Sequence, residues 1–188
     1  MRREGRRKVR SSTMPDSQDG AAVHTAYFDR PPEKLVLEGY RHWTRGVALS
    51  STEPWTRAQL LYRGQLGDED GEKAIIALHR FVKTLGQCAA CPLGVFNAGA
   101  RFICRDETLV LGLIAGIQHA DERAVMFCLE KLCCPNLCDK TALAAGTFAL
   151  TLKALDQTML PIPSHVIERI LRRAEAGPDD GFTYGTIH

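Results

Sequence analysis

No uninterrupted apolar run in this chain reaches the roughly 18 residues that a membrane-spanning helix requires, and the longest candidate is Leu109 to Ile117. No membrane span is therefore expected. The stretch Met1 to Arg10 also lacks the apolar centre of a secretory signal: it holds Arg2, Arg3, Arg6, Arg7, Lys8 and Arg10 against Glu4. It has neither Ala nor Leu from which the amphipathic face of an organelle transit peptide would be built. Export is not expected, and the cytoplasm is the expected location. Three kinds of local signature are missing as well: a phosphate-cradling glycine loop, a nucleophile elbow and a two-histidine metalloprotease motif. Their absence removes the commonest enzyme classes that a short motif can reveal, although sites assembled from distant residues leave no such trace. No catalytic or cofactor-binding residue is named on this basis, and enzyme activity is left without support from any motif.

Positive charge is scarce where a nucleic-acid-binding fold would need it. The formal net charge is +2, but the first ten residues hold six basic side chains against one acid, and the other 178 hold 18 basic against 21 acidic. The body is mildly acidic and offers no excess of cations to neutralise phosphates. Nucleic-acid binding falls to the basic N-terminus alone, and Met14 is an alternative start that would remove it.

What is present is a composition of 45% apolar and 24% charged residues over 188 positions, the range of one globular domain with flexible ends. Residues 1–30 are poor in apolar side chains and rich in Ser, Asp, Gly and charge, which predicts a disordered tail. A single helical domain over 31–176 and a flexible C-terminal tail over 177–188 follow. Pro31 and Pro32 suit a helix entry, with Val36, Gly39, Tyr40 and Trp43 at helical spacing and Gly46 as a stop. Ser51 or Thr52 caps a second helix carrying Trp55, Ala58, Leu61, Tyr62 and Leu66 up to Gly67. Asp68, Glu69 and Asp70 open a third, whose buried face is Ile75, Leu78, Val82 and Leu85 before Gly86.

Helical periodicity is lost over 87–105, where Pro92, Gly94, Asn97 and Gly99 signal turns. An irregular loop is expected, or a small hairpin pairing Leu93 to Phe96 with Arg101 to Cys104 across the turn Asn97 to Ala100. Beyond it, Asp106 is expected to cap a helix over about 106–118 that is apolar on nearly every side and therefore central. Asp121 opens a helix with Val125, Cys128, Leu129 and Leu132, which Pro135 stops. Asp139 caps another over about 140–157, and Ser164 a last one ended by Gly177. The expected fold is an all-α antiparallel bundle of about six or seven helices around the segment 106–118.

The chemistry-bearing residues are seven cysteines, an odd number that argues against a complete disulfide framework. Six of them fall in two clusters, Cys88-Ala-Ala-Cys91-Pro92 in the irregular loop and Cys128, Cys133, Cys134 and Cys138 at a helix junction, and Cys104 stands apart. A thioredoxin-like role for the first pair is disfavoured, because a helix precedes it where that motif needs a strand. Cys88, Cys91, Cys134 and Cys138 together would make a four-thiolate site, for zinc ahead of an iron–sulfur cluster, with Cys104, Cys133, His79 and His119 as substitutes. The structural reading, cysteine as a small buried apolar side chain, ranks ahead of this metal site, and redox switching ranks third. Arg101, Arg105, Asp106 and Glu107 form an anion-binding corner on paper, but helix capping and an ion pair account for them more simply.

Three functional expectations result. The first is a helical regulatory or adaptor protein making protein–protein contacts, motivated by Tyr40, Trp43, Trp55 and Tyr62, for which a core role is the stronger use. The second is a thiolate metal-binding or redox sensor. The third is weak nucleic-acid binding through the basic N-terminus.

Overall fold

A computed structural model describes residues 29–176 and 185–187. The basic N-terminus and the disorder expected of it lie outside the described residues. The elements are α1 (Pro31–Leu49), α2 (Glu53–Leu66), α3 (Asp68–Cys88), β1 (Leu93–Val95), α4 (Arg105–Gln118), α5 (Glu122–Leu132), a 3-10 turn (Pro135–Leu137), α6 (Cys138–Ala154), α7 (Ser164–Ala176) and β2 (Gly185–Ile187). The all-α bundle is as expected, with seven α-helices among the described residues. None of them is long and apolar enough to cross a membrane.

The expected central helix is central. Leu109, Val110, Leu111, Leu113, Ile114 and Ala115 of α4 are all buried, and α4 packs against α1, α5, α6 and α7. Gly112 brings α5 and α7 in: a Cβ there would stand 2.5 Å from Ile167 Cδ1 and 3.0 Å from Cys128 Sγ. On the other side of the bundle α3 lies between α2 and α6. Phe81 of α3 and Phe148 of α6 stack at 5.9 Å with their planes 13° apart.

The four aromatics of the first helices all face inward. Trp43 and Trp55 stack at 5.7 Å, Trp55 Nε1 donates to Trp43 O at 3.1 Å, and Tyr62 Oη donates to Leu35 O at 2.8 Å. Tyr40 is fully buried. Helix α1 runs past Gly46 to Leu49. That glycine is a contact residue rather than a stop, since a Cβ on it would lie 2.2 Å from Trp55 Nε1.

Two expected caps are corrected. The N-cap of α4 is Cys104, which forms a reciprocal capping box with Glu107, while Asp106 accepts instead from Gly94 N at 2.7 Å. Helix α6 starts at Cys138 without a side-chain cap, so Asp139 lies inside its first turn. Asp121 does cap α5, accepting from Ala124 N at 3.0 Å.

The irregular loop is present, with a turn closed by Ala100 N donating to Asn97 O at 3.1 Å and Gly99 at φ +77°. Its flanks do not pair as a hairpin. β1 pairs antiparallel with β2, Leu93 opposite Ile187 and Val95 opposite Gly185. The reason lies in the backbone groups on both sides of the turn. Arg41 takes the Ala100 and Phe102 carbonyls, and Glu107 takes the Phe96 and Cys104 amides, which leaves the Leu93–Val95 edge to the C-terminal segment.

Candidate functional site: the thiol junction

All seven cysteines are free thiols, and the fold sorts them into those brought together and those held apart. The C-terminal end of α3 meets the connection between α5 and α6. Ala89 and Cys133 face each other in an isolated antiparallel bridge. Ala90 N donates to Leu132 O and Cys134 N donates to Cys88 O, both at 3.0 Å. The two sequence clusters therefore meet, through backbone. Cys88 and Cys133 are each 1% exposed, Cys134 and Cys138 are half-buried, and Cys91 is exposed.

Each half-buried thiol has a carbonyl to donate to. Cys134 Sγ reaches Ala89 O at 3.8 Å, and Cys138 Sγ reaches Cys134 O at 3.6 Å and Leu129 O at 3.8 Å. Burial pushes the Cys133 thiol above the ordinary range, opposed by the neighbouring Thr141 hydroxyl and reinforced by Cys138, Cys88 and Cys134. Cys138 is raised by desolvation, Asp139 and Glu130, with Cys134 and Cys88 adding to it. These mutual effects place four cysteines from three helix ends in one electrostatic neighbourhood. Their side chains donate to carbonyls or sit in the apolar core, and no tetrahedral set is preformed. Among the described residues, no group of three or more His, Cys, Asp and Glu side chains is arranged to hold a metal ion.

The remaining candidates lie elsewhere. Cys104 caps α4, donating from Sγ to Gly94 O at 3.2 Å, and burial with the nearby Glu107 pushes its thiol up to about 12. Cys128 is fully buried on α5, and desolvation likewise pushes it up to about 12. His79 accepts the Trp43 Nε1–H at Nδ1, 3.1 Å away, which requires a neutral ring. Burial, Lys83 and Arg80 lower its pKa in agreement. His119 donates from Nε2 to Met159 O at 2.8 Å, beyond the far end of α6 from the cysteines. The thiolate is the reactive species, which sets an order of modification. Titrated with a maleimide at neutral pH and followed by peptide mapping, Cys91 is expected to label first, and Cys104 and Cys128 last.

The anion-binding corner is not assembled. Glu107 is fully buried and faces α1, where Arg41 Nε donates to it at 2.7 Å and Nη2 at 3.1 Å. Arg105 pairs with Asp106 at 3.3 Å. Glu38 completes this network, accepting from Arg41 Nη1 at 2.8 Å and from Gly99 N at 2.9 Å. Arg41 and Glu38 were not singled out by sequence reasoning, because 66 residues separate Arg41 from Glu107 and no local spacing announces the pair. Their effect is to fix the loop that leads from the thiol junction to α4.

No protein-family model, no curated protein and no solved structure matches the chain.

Proposed function

We propose that the chain is a small regulatory protein whose working element is the thiol junction, with the oxidation state of its cysteines setting how the loop 89–104 and the 3-10 turn pack on the bundle. The observation that carries this reading is the bridge between Ala89 and Cys133, which joins the two cysteine clusters and leaves Cys88, Cys133, Cys134 and Cys138 as neighbours. The aromatics that suggest an adaptor surface take the core role here, Tyr40, Trp43 and Tyr62 within the core and the partly buried Trp55 packed against it. A protein partner is still the natural recipient of a switch. Helix α6 begins at Cys138 and exposes Leu143 and Leu150, 76% and 55% accessible, on its outer face. A reducing, cytoplasmic setting suits the resting thiols.

The reading is tested by limited trypsin digestion at the exposed Arg101 in the loop. Cleavage is expected to slow after treatment with a hydroperoxide and to recover with dithiothreitol. Equal cleavage in both states would remove the proposal. Zinc bound at one ion per chain and released by Cys88→Ser with Cys91→Ser would replace it with the four-thiolate site of Cys88, Cys91, Cys134 and Cys138.

A further inference from the structure

Resting on the thiol reading, the geometry can be taken one step further, to a particular bond: we infer that the junction closes by a reversible disulfide between Cys88 and Cys134. Ala89 and Cys133 are a non-hydrogen-bonded pair, because the bonds that fix them run from Ala90 N to Leu132 O and from Cys134 N to Cys88 O. The next pair outward in that register is Cys88 opposite Cys134. Cys88 is the last residue of α3, and the bond from Cys134 N to Cys88 O at 3.0 Å sets the two residues side by side; a hydrogen-bonded pair of this kind has Cα atoms about 5.5 Å apart, inside the range of roughly 4.4–6.8 Å that a disulfide spans.

The competing pairs are set against one another by the same ribbon. Past Ala89 the chain bends at Ala90 and Cys91, which carries Cys91 off the line of the bridge. Cys91 is exposed while Cys88 is buried, which agrees. Cys133 is extended, at φ −120° and ψ 155°, so its side chain leaves on the opposite side from that of Cys134 and lies beside Thr141. Cys138 follows the 3-10 turn and is directed back at the Cys134 and Leu129 carbonyls. Cys134 is therefore the cysteine that the backbone bonds set directly against Cys88.

The chemistry needs an oxidant, and a hydroperoxide supplies it. The half-buried Cys134 sulfur, as thiolate, attacks the peroxide O–O bond and becomes a sulfenic acid, while the other oxygen takes a proton and leaves as water or an alcohol. The Cys88 sulfur then attacks the sulfenic sulfur. The S–S bond forms, the Cys88 proton and the hydroxyl leave as water, and two thiols have given two electrons to the peroxide. The bond pins the end of α3 to the start of the α5–α6 connection, and a dithiol reverses it by exchange.

Trypsin cleaves after Lys83, Arg101, Lys131 and Lys140, which places Cys88 and Cys91 in peptide 84–101 and Cys133, Cys134 and Cys138 in peptide 132–140. The full chain is treated with hydrogen peroxide, blocked with a maleimide, digested and mapped by mass spectrometry. The expected product is peptide 84–101 joined to 132–140, two hydrogens lighter than the sum, with fragment ions locating the bond at Cys88 and Cys134. It is lost in Cys134→Ser and kept in Cys91→Ser and Cys128→Ser. The map of the unaltered chain is decisive even if a variant fails to fold. A bond within one peptide, Cys88 to Cys91 or Cys134 to Cys138, overturns the latch but leaves the thiol reading standing. Seven unmodified thiols after peroxide overturn both.

Discussion

Glu107→Ala is expected to cost about 3–5 kcal/mol of stability, read as a fall in the urea midpoint at an unchanged slope. The carboxylate is fully buried and Arg41 is 1% exposed, so removing Glu107 strips the guanidinium of its bidentate partner in the interior and leaves Glu38, at Nη1, as its one carboxylate. The pair is bidentate, at 2.7 and 3.1 Å, and Glu107 also takes the amides of Phe96 and Cys104 at 3.0 and 2.9 Å. Burial works against the charge of Arg41, yet Glu107 and Glu38 outweigh it and hold the pKa above the ordinary arginine value. The loss therefore includes loop anchoring as well as the ion pair. Adding Arg41→Met to the variant should cost less than the two single changes summed, because the guanidinium goes too. A loss under about 1 kcal/mol, the size of an exposed ion pair, would contradict this account of the loop.

Phe148→Ala is expected to be comparably damaging, at about 3–5 kcal/mol. Phe148 is fully buried and stacks on Phe81 across the α3–α6 contact. Truncation removes the apolar transfer energy of a ring and opens a cavity that two long helices cannot collapse around. The consequence reaches the thiols. Cys88 ends α3 and Cys138 begins α6, so the same contact holds the two sides of the junction together. In the variant, maleimide modification of Cys88 should quicken along with the fall in stability, whereas Cys104, held by its own capping box, should change less. A fall in stability with unaltered Cys88 reactivity would detach the junction from this packing.

Helix periodicity was legible because a buried face repeats within one element: Leu78, Val82 and Leu85 predict α3, and the all-round apolar run from Leu109 predicts the central position of α4. Local punctuation was less dependable. Gly46 has the look of a stop, but the residue answers to Trp55 on another helix. Asp106 is the better cap former by type, yet Cys104 and Glu107 satisfy the helix end together and Asp106 is drawn to Gly94. Pairings between distant residues left no local trace at all. Arg41 with Glu107, β1 with β2, and Cys88 with Cys134 all depend on how helices pack. The sequence showed two cysteine clusters; their meeting depends on the antiparallel contact of α3 and α6, which only the fold supplies.

The most direct test of the thiol junction is a combined count of metal and free thiols by native mass spectrometry on freshly purified protein, before and after a hydroperoxide. The account predicts a metal-free chain with seven thiols that loses two of them to peroxide and regains them with dithiothreitol. A chain that holds one zinc ion throughout, or whose seven thiols survive the oxidant, would contradict it.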